Sequence, residues 1–303
     1  MTFTIAHLSD AHLSPAPFPG LREMRLKRFM GYVNWKRGRE RLNDMAMLAR
    51  LVADLRAQEP DHVAMTGDAV NIALAAEFDR AAIWMKSLGD PANVSFTPGN
   101  HDAYVRDAME GLARVFAPWT SGDSRAPGVE RFPYLRVRGE IALIGLNSGV
   151  PTAPLMASGR LGRRQLASLG RMLEDTGSRG LARVVLIHHP PLSRGASAPL
   201  RGLDDAREFE RTIARFGAEA ILHGHTHKRM VHYLPSSATR REGGLVPVIG
   251  APSASAATAD PRQRAGYYLI RIERSGPHWR VCARERGLLF ESSEIGEREA
   301  PSI

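Results

Sequence analysis

Cysteine is almost absent: Cys282 is the only one in 303 residues. An internal disulfide is therefore excluded, and the chain suits a reducing cytoplasm; Cys282 itself reads as a small residue in a late strand. Long apolar runs are missing too. No stretch approaches 18 apolar residues, so no membrane span is expected. The start, Met1-Thr2-Phe3-Thr4-Ile5, has no basic segment, apolar core or small-residue cleavage site, so a signal peptide is not expected. Acidic side chains are in deficit, 32 against 41 basic ones, for a net charge of +9. That balance suits anionic partners, although many proteins this basic bind no nucleic acid. There is no internal repeat.

What is present is a series of polar clusters: Asp10-Ala11-His12, Gly67-Asp68, Gly99-Asn100-His101-Asp102, His188-His189-Pro190 and Gly224-His225-Thr226-His227. Each follows an apolar, β-like run: 3–8, 62–66, 94–97, 184–187 and 220–222. Helical patterns alternate with these runs at about 39–58, 76–88, 104–116, 162–175 and 204–216. A hairpin is predicted over 135–146, where Arg138-Gly139-Glu140 makes the turn. After His227 only strands are predicted, at 231–234, 245–249, 267–272 and 279–283, with a loop at 251–261. A chain that begins βαβα and ends in strands predicts two packed sheets with helices outside. Residues 1–286 read as one domain, with a basic, aromatic insertion at about 21–41, and 287–303 as a polar tail.

The clusters hold metal-ligand chemistry. An Asp and a His two apart beyond a strand can turn toward one ion, a hard ligand beside a borderline one. Asp68 has two oxygens and can bridge two ions. Asn100 can offer an amide oxygen, and His225 and His227 can serve neighbouring ions. Two divalent ions side by side can clamp a phosphate and lower the pKa of a bridging water. Taken singly, each cluster also reads as an ordinary turn, because Gly, Asn and Asp are turn residues. Their order, each at a strand end, is what carries the reading.

Asp-x-His, Gly-Asp, Gly-Asn-His-Asp, His-x-Pro and Gly-His-x-His in this order resemble the calcineurin-like metallophosphoesterases, in particular their small bacterial phosphodiesterases. The resemblance spans residues 10 to 227. It implies an α/β fold, a four-layer αββα sandwich of two mixed sheets flanked by helices. It implies Asp10, His12 and His227 on one ion, Asn100, His188 and His225 on the second, and Asp68 bridging both. His101 would act as a hydrogen-bond donor or general acid, and Asp102 would orient it. His188 lies two residues before the proline and is taken as the ligand; His189 is left as a residue that could face substrate. His7, His62, His223, His232 and His278 are assigned structural roles.

The implied activity is phosphoester hydrolysis by a metal-bridging hydroxide, with a phosphodiester as the favoured substrate. The imidazole-rich set favours Mn, Fe, Zn or Co over Mg. Lipid-linked phosphodiesters or pyrophosphates at a membrane surface, nucleic acid, and an inert metal-binding scaffold stay open as alternatives. The segment 21–41 carries Arg22, Arg25, Lys27, Arg28, Lys36, Arg37, Arg39 and Arg41 among Phe29, Met30, Tyr32, Val33 and Trp35. It reads as a solvated basic loop, as a contact for an anionic membrane or lipid headgroup, or as a nucleic-acid contact. Arg25 and Arg28 are taken as candidate substrate contacts. The expected location is the cytoplasm, with peripheral contact to the inner membrane surface if the lipid reading holds. The sequence leaves the oligomeric state open.

Overall fold

A computed structural model describes residues 2–20, 23–123, 131–193, 200–258, 260–289 and 294–298. Twelve strands among them form two six-stranded sheets. The first contains β1 (Thr2–Leu8), β2 (His62–Met65), β3 (Val94–Phe96), β10 (Gly266–Ser275), β11 (His278–Leu288) and β12 (Ile295–Arg298), in the order β12-β11-β10-β1-β2-β3. The second contains β4 (Tyr134–Arg138), β5 (Ile141–Gly145), β6 (Ala182–Leu186), β7 (Ala220–His223), β8 (Met230–Pro235) and β9 (Leu245–Gly250), in the order β4-β5-β6-β7-β9-β8. The β1–β2–β3 and β5–β6–β7–β9 pairings are parallel, and antiparallel strands finish both sheets.

Strand parity explains the layers. Ile5, Val184, Leu186 and Leu222 pack between the sheets. Their neighbours Val185, Ile187 and Ile221 turn outward, under α6 (Gly162–Ser178) and α7 (Ala206–Phe216). On the other side, Ala6, Leu8, Val63 and Met65 meet α3 (Met45–Ala57), α4 (Ala75–Ser87) and α5 (Met109–Val115). Both faces of the central strands are therefore covered, which is why they read as continuous apolar runs. The result is the αββα sandwich with mixed sheets.

Three expectations are corrected. The helix predicted over 39–58 is interrupted. α2 (Glu40–Leu42) stops where Asn43 bridges Ala256, and Asp44 then caps α3 by accepting from Ala46 N (2.8 Å) and Met47 N (3.0 Å). The segment 21–41 is largely helical where it is described, not a solvated loop. α1 (Leu26–Asn34) runs into a π-helical turn, Trp35–Arg39, an element often found at functional sites. Leu21 and Arg22 lie outside the described residues. Part of the expected polar tail, 295–298, pairs with β11 as β12. Arg298 anchors it by reaching the buried Glu285 at 2.8 Å, beside Arg229 at 3.1 Å from the same carboxylate.

At the start of the central strands β6 and β7 of the second sheet, Arg183 and Glu219 form a fully buried bidentate pair, with Nε–Oε2 at 3.0 Å and Nη2–Oε1 at 2.8 Å. Breaking such a pair strands a charge. Glu219→Ala is expected to cost about 3–5 kcal/mol of unfolding free energy, measurable in urea denaturation; a cost below about 1 kcal/mol would contradict the assignment.

Candidate metal centre

The parallel strands of both sheets end at one edge, and the polar clusters leave from these ends. Asp10 and His12 follow β1, Asp68 follows β2, and Asn100 and His101 follow β3; His188 follows β6, and His225 and His227 follow β7. Among the described residues nine non-glycine residues have positive φ, and five are candidate ligands: Asp10 (54°), His12 (41°), Asp68 (54°), His225 (70°) and His227 (54°). Each such residue costs roughly 1–2 kcal/mol, so the surrounding hydrogen bonds must enforce it. Asp10 N donates to Gly67 O and His12 N to Asp68 O, both at 3.0 Å, and His225 N reaches Asp10 Oδ2 at 3.0 Å. Ser253 Oγ also donates to Asp10 O at 2.7 Å, so the 251–261 segment, read as a plain loop, holds the first ligand. Strain concentrated in this way marks a site whose geometry is imposed by the fold.

Two donor groups result. Asp10, His12, Asp68 and His227 form the first. His12 Nε2 and His227 Nε2 lie 3.2 Å apart, and Asp10 Oδ1 lies 3.2 Å from His227 Nε2. In the second, Asn100 Oδ1 lies 3.2 Å from His188 Nε2 and 2.9 Å from His225 Nδ1. Asp68 Oδ2 connects the groups, at 3.3 Å from His188 Nε2 and 3.9 Å from His12 Nε2. The donor set fits metal ions by its tautomers. His12 Nδ1 faces Val70 O and His188 Nδ1 faces Thr66 O; a carbonyl only accepts, so both rings carry a proton on Nδ1 and turn Nε2 inward, the atom that could serve a metal once unprotonated. Asp10 Oδ1 is buried without a hydrogen-bond donor. Acceptors converging in a buried place are stable only with cations among them.

Two motif glycines are required by packing alone. A Cβ on Gly99 would collide with Asp68 Oδ1, and one on Gly224 with Ser9 Oγ and Asp10 Oδ2.

The charges are strongly coupled. Burial works to raise the Asp68 carboxyl, but His188, then His101 and His12, hold it well below the usual range. Burial would lower His188, but the Asp68 charge pushes it up to about 9. Burial, then the His188 charge, lower His225 to about 3. A metal bound at His188 Nε2 would displace a proton there. Metal affinity is therefore expected to rise with pH up to about 9, and binding at pH 7.5 to release about one proton per chain. Calorimetry in two buffers of different ionisation enthalpy reads this directly; a heat independent of buffer would contradict it.

Other sequence assignments fall differently. Asp102 does not orient His101. Its carboxylate accepts Asp68 N (2.7 Å), Gly99 N (2.8 Å), Ala69 N (3.0 Å) and Val70 N (3.2 Å), clamping the backbones of two ligand loops. His101 is set instead by its Nδ1 on Asn71 O, by its N–H on Asp68 Oδ1 (2.8 Å), and by Tyr104 stacked at 5.7 Å. The residue lies in the wall of the neighbouring cavity.

His189 stands beside His188 and His225, but both its nitrogens are engaged. Nε2 faces Ala157 O at 3.2 Å, and Nδ1 pairs with Ser148 Oγ at 2.8 Å. It is buried and braces loops rather than facing substrate.

Arg28 is buried as well. It donates to Ile72 O (3.2 Å), Ala73 O (2.7 Å), Glu23 O (3.3 Å) and Asp107 (3.2 Å), fastening α1 over the site. Arg25 pairs with Asp107 at 3.2 Å. A cavity of about 490 Å³ opens beside His101 and Asn100, and it is lined instead by Lys27, Arg37 and Arg201 among apolar side chains. Tyr104 and Arg201 are not singled out in the sequence, and Lys27 reads there only as part of the basic segment 21–41, since only the fold brings them beside His101.

The sequence model of the calcineurin-like phosphoesterases matches residues 3–229. The chain belongs to this family, a class of metal-dependent phosphoester hydrolases. A Synechococcus protein named as a probable cyclic nucleotide phosphodiesterase is 27% identical over 286 residues, covering 92% of this chain and 93% of that one. A dimetal phosphatase from Danio rerio superposes with a TM-score of 0.57 at 13% identity, over 98% of this chain and 96% of its own. The yellow lupin purple acid phosphatase PPD1 gives 0.54 at 10% identity, over 98% of this chain and 53% of its own. These two establish likeness of fold. Among the described residues no helix is long and apolar enough to cross a membrane.

Proposed function

We propose that the chain is a phosphodiesterase working through a dinuclear centre. Asp10, His12 and His227 would hold one ion, Asn100, His188 and His225 the other, and Asp68 both. The observation that carries this reading is Asp68 Oδ2 lying between His12 Nε2 (3.9 Å) and His188 Nε2 (3.3 Å). The Synechococcus relative's name supports a diester over a monoester. The imidazole-rich donor set suits Mn, Fe, Zn or Co better than Mg.

Two such ions would supply Lewis acidity toward the phosphoryl oxygens and lower the pKa of a water at the site. The chain's own residues do the rest. Asn100 and His225 draw one face of the site together through their 2.9 Å contact. Asp102 fixes the Asp68 and Gly99 loops at constant spacing. His101, with Nδ1–H committed to Asn71 O, presents Nε2 toward the cavity. In its protonated form it donates to a phosphoryl oxygen or to the departing alcohol. No side-chain nucleophile is needed, because water supplies the new oxygen.

The test is hydrolysis of bis-p-nitrophenyl phosphate by Mn-reconstituted protein. Turnover that vanishes on chelation and returns with Mn supports the proposal. Turnover that survives full metal removal would overturn it, and a protein inert when loaded would favour the scaffold reading.

A further inference from the structure

The cavity beside His101 has an unusual rim. One lip is α1. Leu26, Phe29 and Met30 lie three and four positions apart on it, one above another on the helix, and Leu26 is 70% and Phe29 48% exposed. The other lip is the 154–157 loop, where Leu155 is 86% exposed. Leu200, 58% exposed, is tied to that loop by the bond from Ala157 N to Leu200 O at 3.0 Å. Of the ten large apolar residues exposed among the described ones, Phe29, Met30 and Leu155 line the cavity itself, Leu26 stands on the same helix, and Leu200 is bonded to the facing loop. Exposed apolar side chains gathered at and beside a cavity mouth are not scattered surface; such groupings mark contact with another apolar phase.

Charge specifies which phase. Lys27, Arg37 and Arg201 line the cavity, and no carboxylate does so among the described residues. Lys27 spans the opening, donating to Thr152 O at 2.8 Å and lying 4.5 Å over the Tyr104 ring, the ring that stacks on His101. The inner wall is apolar, with Phe29, Met30, Val33, Leu155 and Met156. The volume lies within the roughly 300–1,000 Å³ of ligand pockets. Cations and hydrocarbon side chains sharing one cavity wall match an anionic amphiphile, and basic side chains beside exposed Leu and Phe match the headgroup boundary of a bilayer.

We propose that the rim formed by α1 and the Leu155–Leu200 lip seats on an anionic membrane, and that the cavity takes the apolar part of a lipid phosphodiester whose phosphate reaches the metal centre. This rests on the hydrolase reading above and names its substrate class. The reaction is ordinary hydrolysis. A P–O bond to one alcohol breaks, water oxygen bonds to phosphorus, and a water proton passes to the departing oxygen. The chain needs no spanning segment for this, since it reaches the lipid from the surface.

Two experiments separate this proposal from the one beneath it. The first is sedimentation of the full chain with vesicles of phosphatidylglycerol and phosphatidylcholine, against phosphatidylcholine alone. Binding only to the anionic vesicles, weakened by salt and lowered at least about tenfold in Leu26→Glu/Leu200→Glu, is expected. Circular dichroism of the variant checks that it is folded. Absence of binding, binding unchanged in the variant, or binding to single-stranded DNA in place of vesicles would overturn the proposal, whatever the enzyme hydrolyses.

The second experiment uses alkyl p-nitrophenyl phosphates with methyl, hexyl and dodecyl chains, which share one leaving group. kcat/KM is expected to rise at least about tenfold from methyl to dodecyl, and Leu155→Asp to flatten the rise. A flat series with hydrolysis intact would overturn the lipid substrate and leave the phosphodiesterase standing.

Discussion

Replacing Asp68 by asparagine is expected to lower kcat/KM for bis-p-nitrophenyl phosphate by at least about 10³-fold, since the several kcal/mol a metal pair supplies are lost at 1.36 kcal/mol per decade. The change keeps volume, and Oδ1 can still accept from His101 N. What it removes is charge. Asp10 and Asp68 are the only carboxylates in the two donor groups, so one substitution takes half of the anionic ligation. It also takes away the bond between the groups, because Oδ2 is the atom facing both His12 and His188. Metal content and rate should fall together. A loss below tenfold with full metal content would mean that Asp68 serves the fold and not the centre.

Replacing His101 by glutamine should separate two roles. General acid catalysis contributes about 10²–10⁴-fold, and it matters most when the departing group is a poor one. The variant is expected to lose rate in that range with an alkyl leaving group. With p-nitrophenolate, which departs unaided as a stable anion, it should lose far less. Equal losses on both would place the His101 proton on a phosphoryl oxygen instead.

Much of this was legible in the chain. β1, β2, β6 and β7 read as strands because both faces of each are covered, leaving unbroken apolar runs before Asp10, Asp68, His188 and His225. The donor residues stood in motifs because each follows its strand by a short turn. What failed to show was whatever depends on distant partners. α1 has no side-chain cap, and its placement rests on Arg28 reaching carbonyls at Ile72 and Ala73, so a basic loop was the natural reading. Asp44 before Met45 was a visible cap, obscured by apolar periodicity that continued through it. Asp102 sits one residue from His101, which invites the idea that they touch. Its oxygens turn instead to four backbone amides, three of the Asp68 loop and Gly99 N of its own. His189 reads as a residue that could face substrate, and nothing in the sequence shows that Ser148 and Ala157 engage its two nitrogens.

The central claim is that Asp68 joins two metal sites. Elemental analysis of Mn-reconstituted, gel-filtered protein, with its activity measured on the same samples, tests it most directly. The account predicts two ions per chain in the wild type, and one retained ion with lost turnover in both His227→Ala and His225→Ala, because each substitution damages a different group. A wild-type content of one ion or none, or two ions held unchanged by both variants, would contradict it.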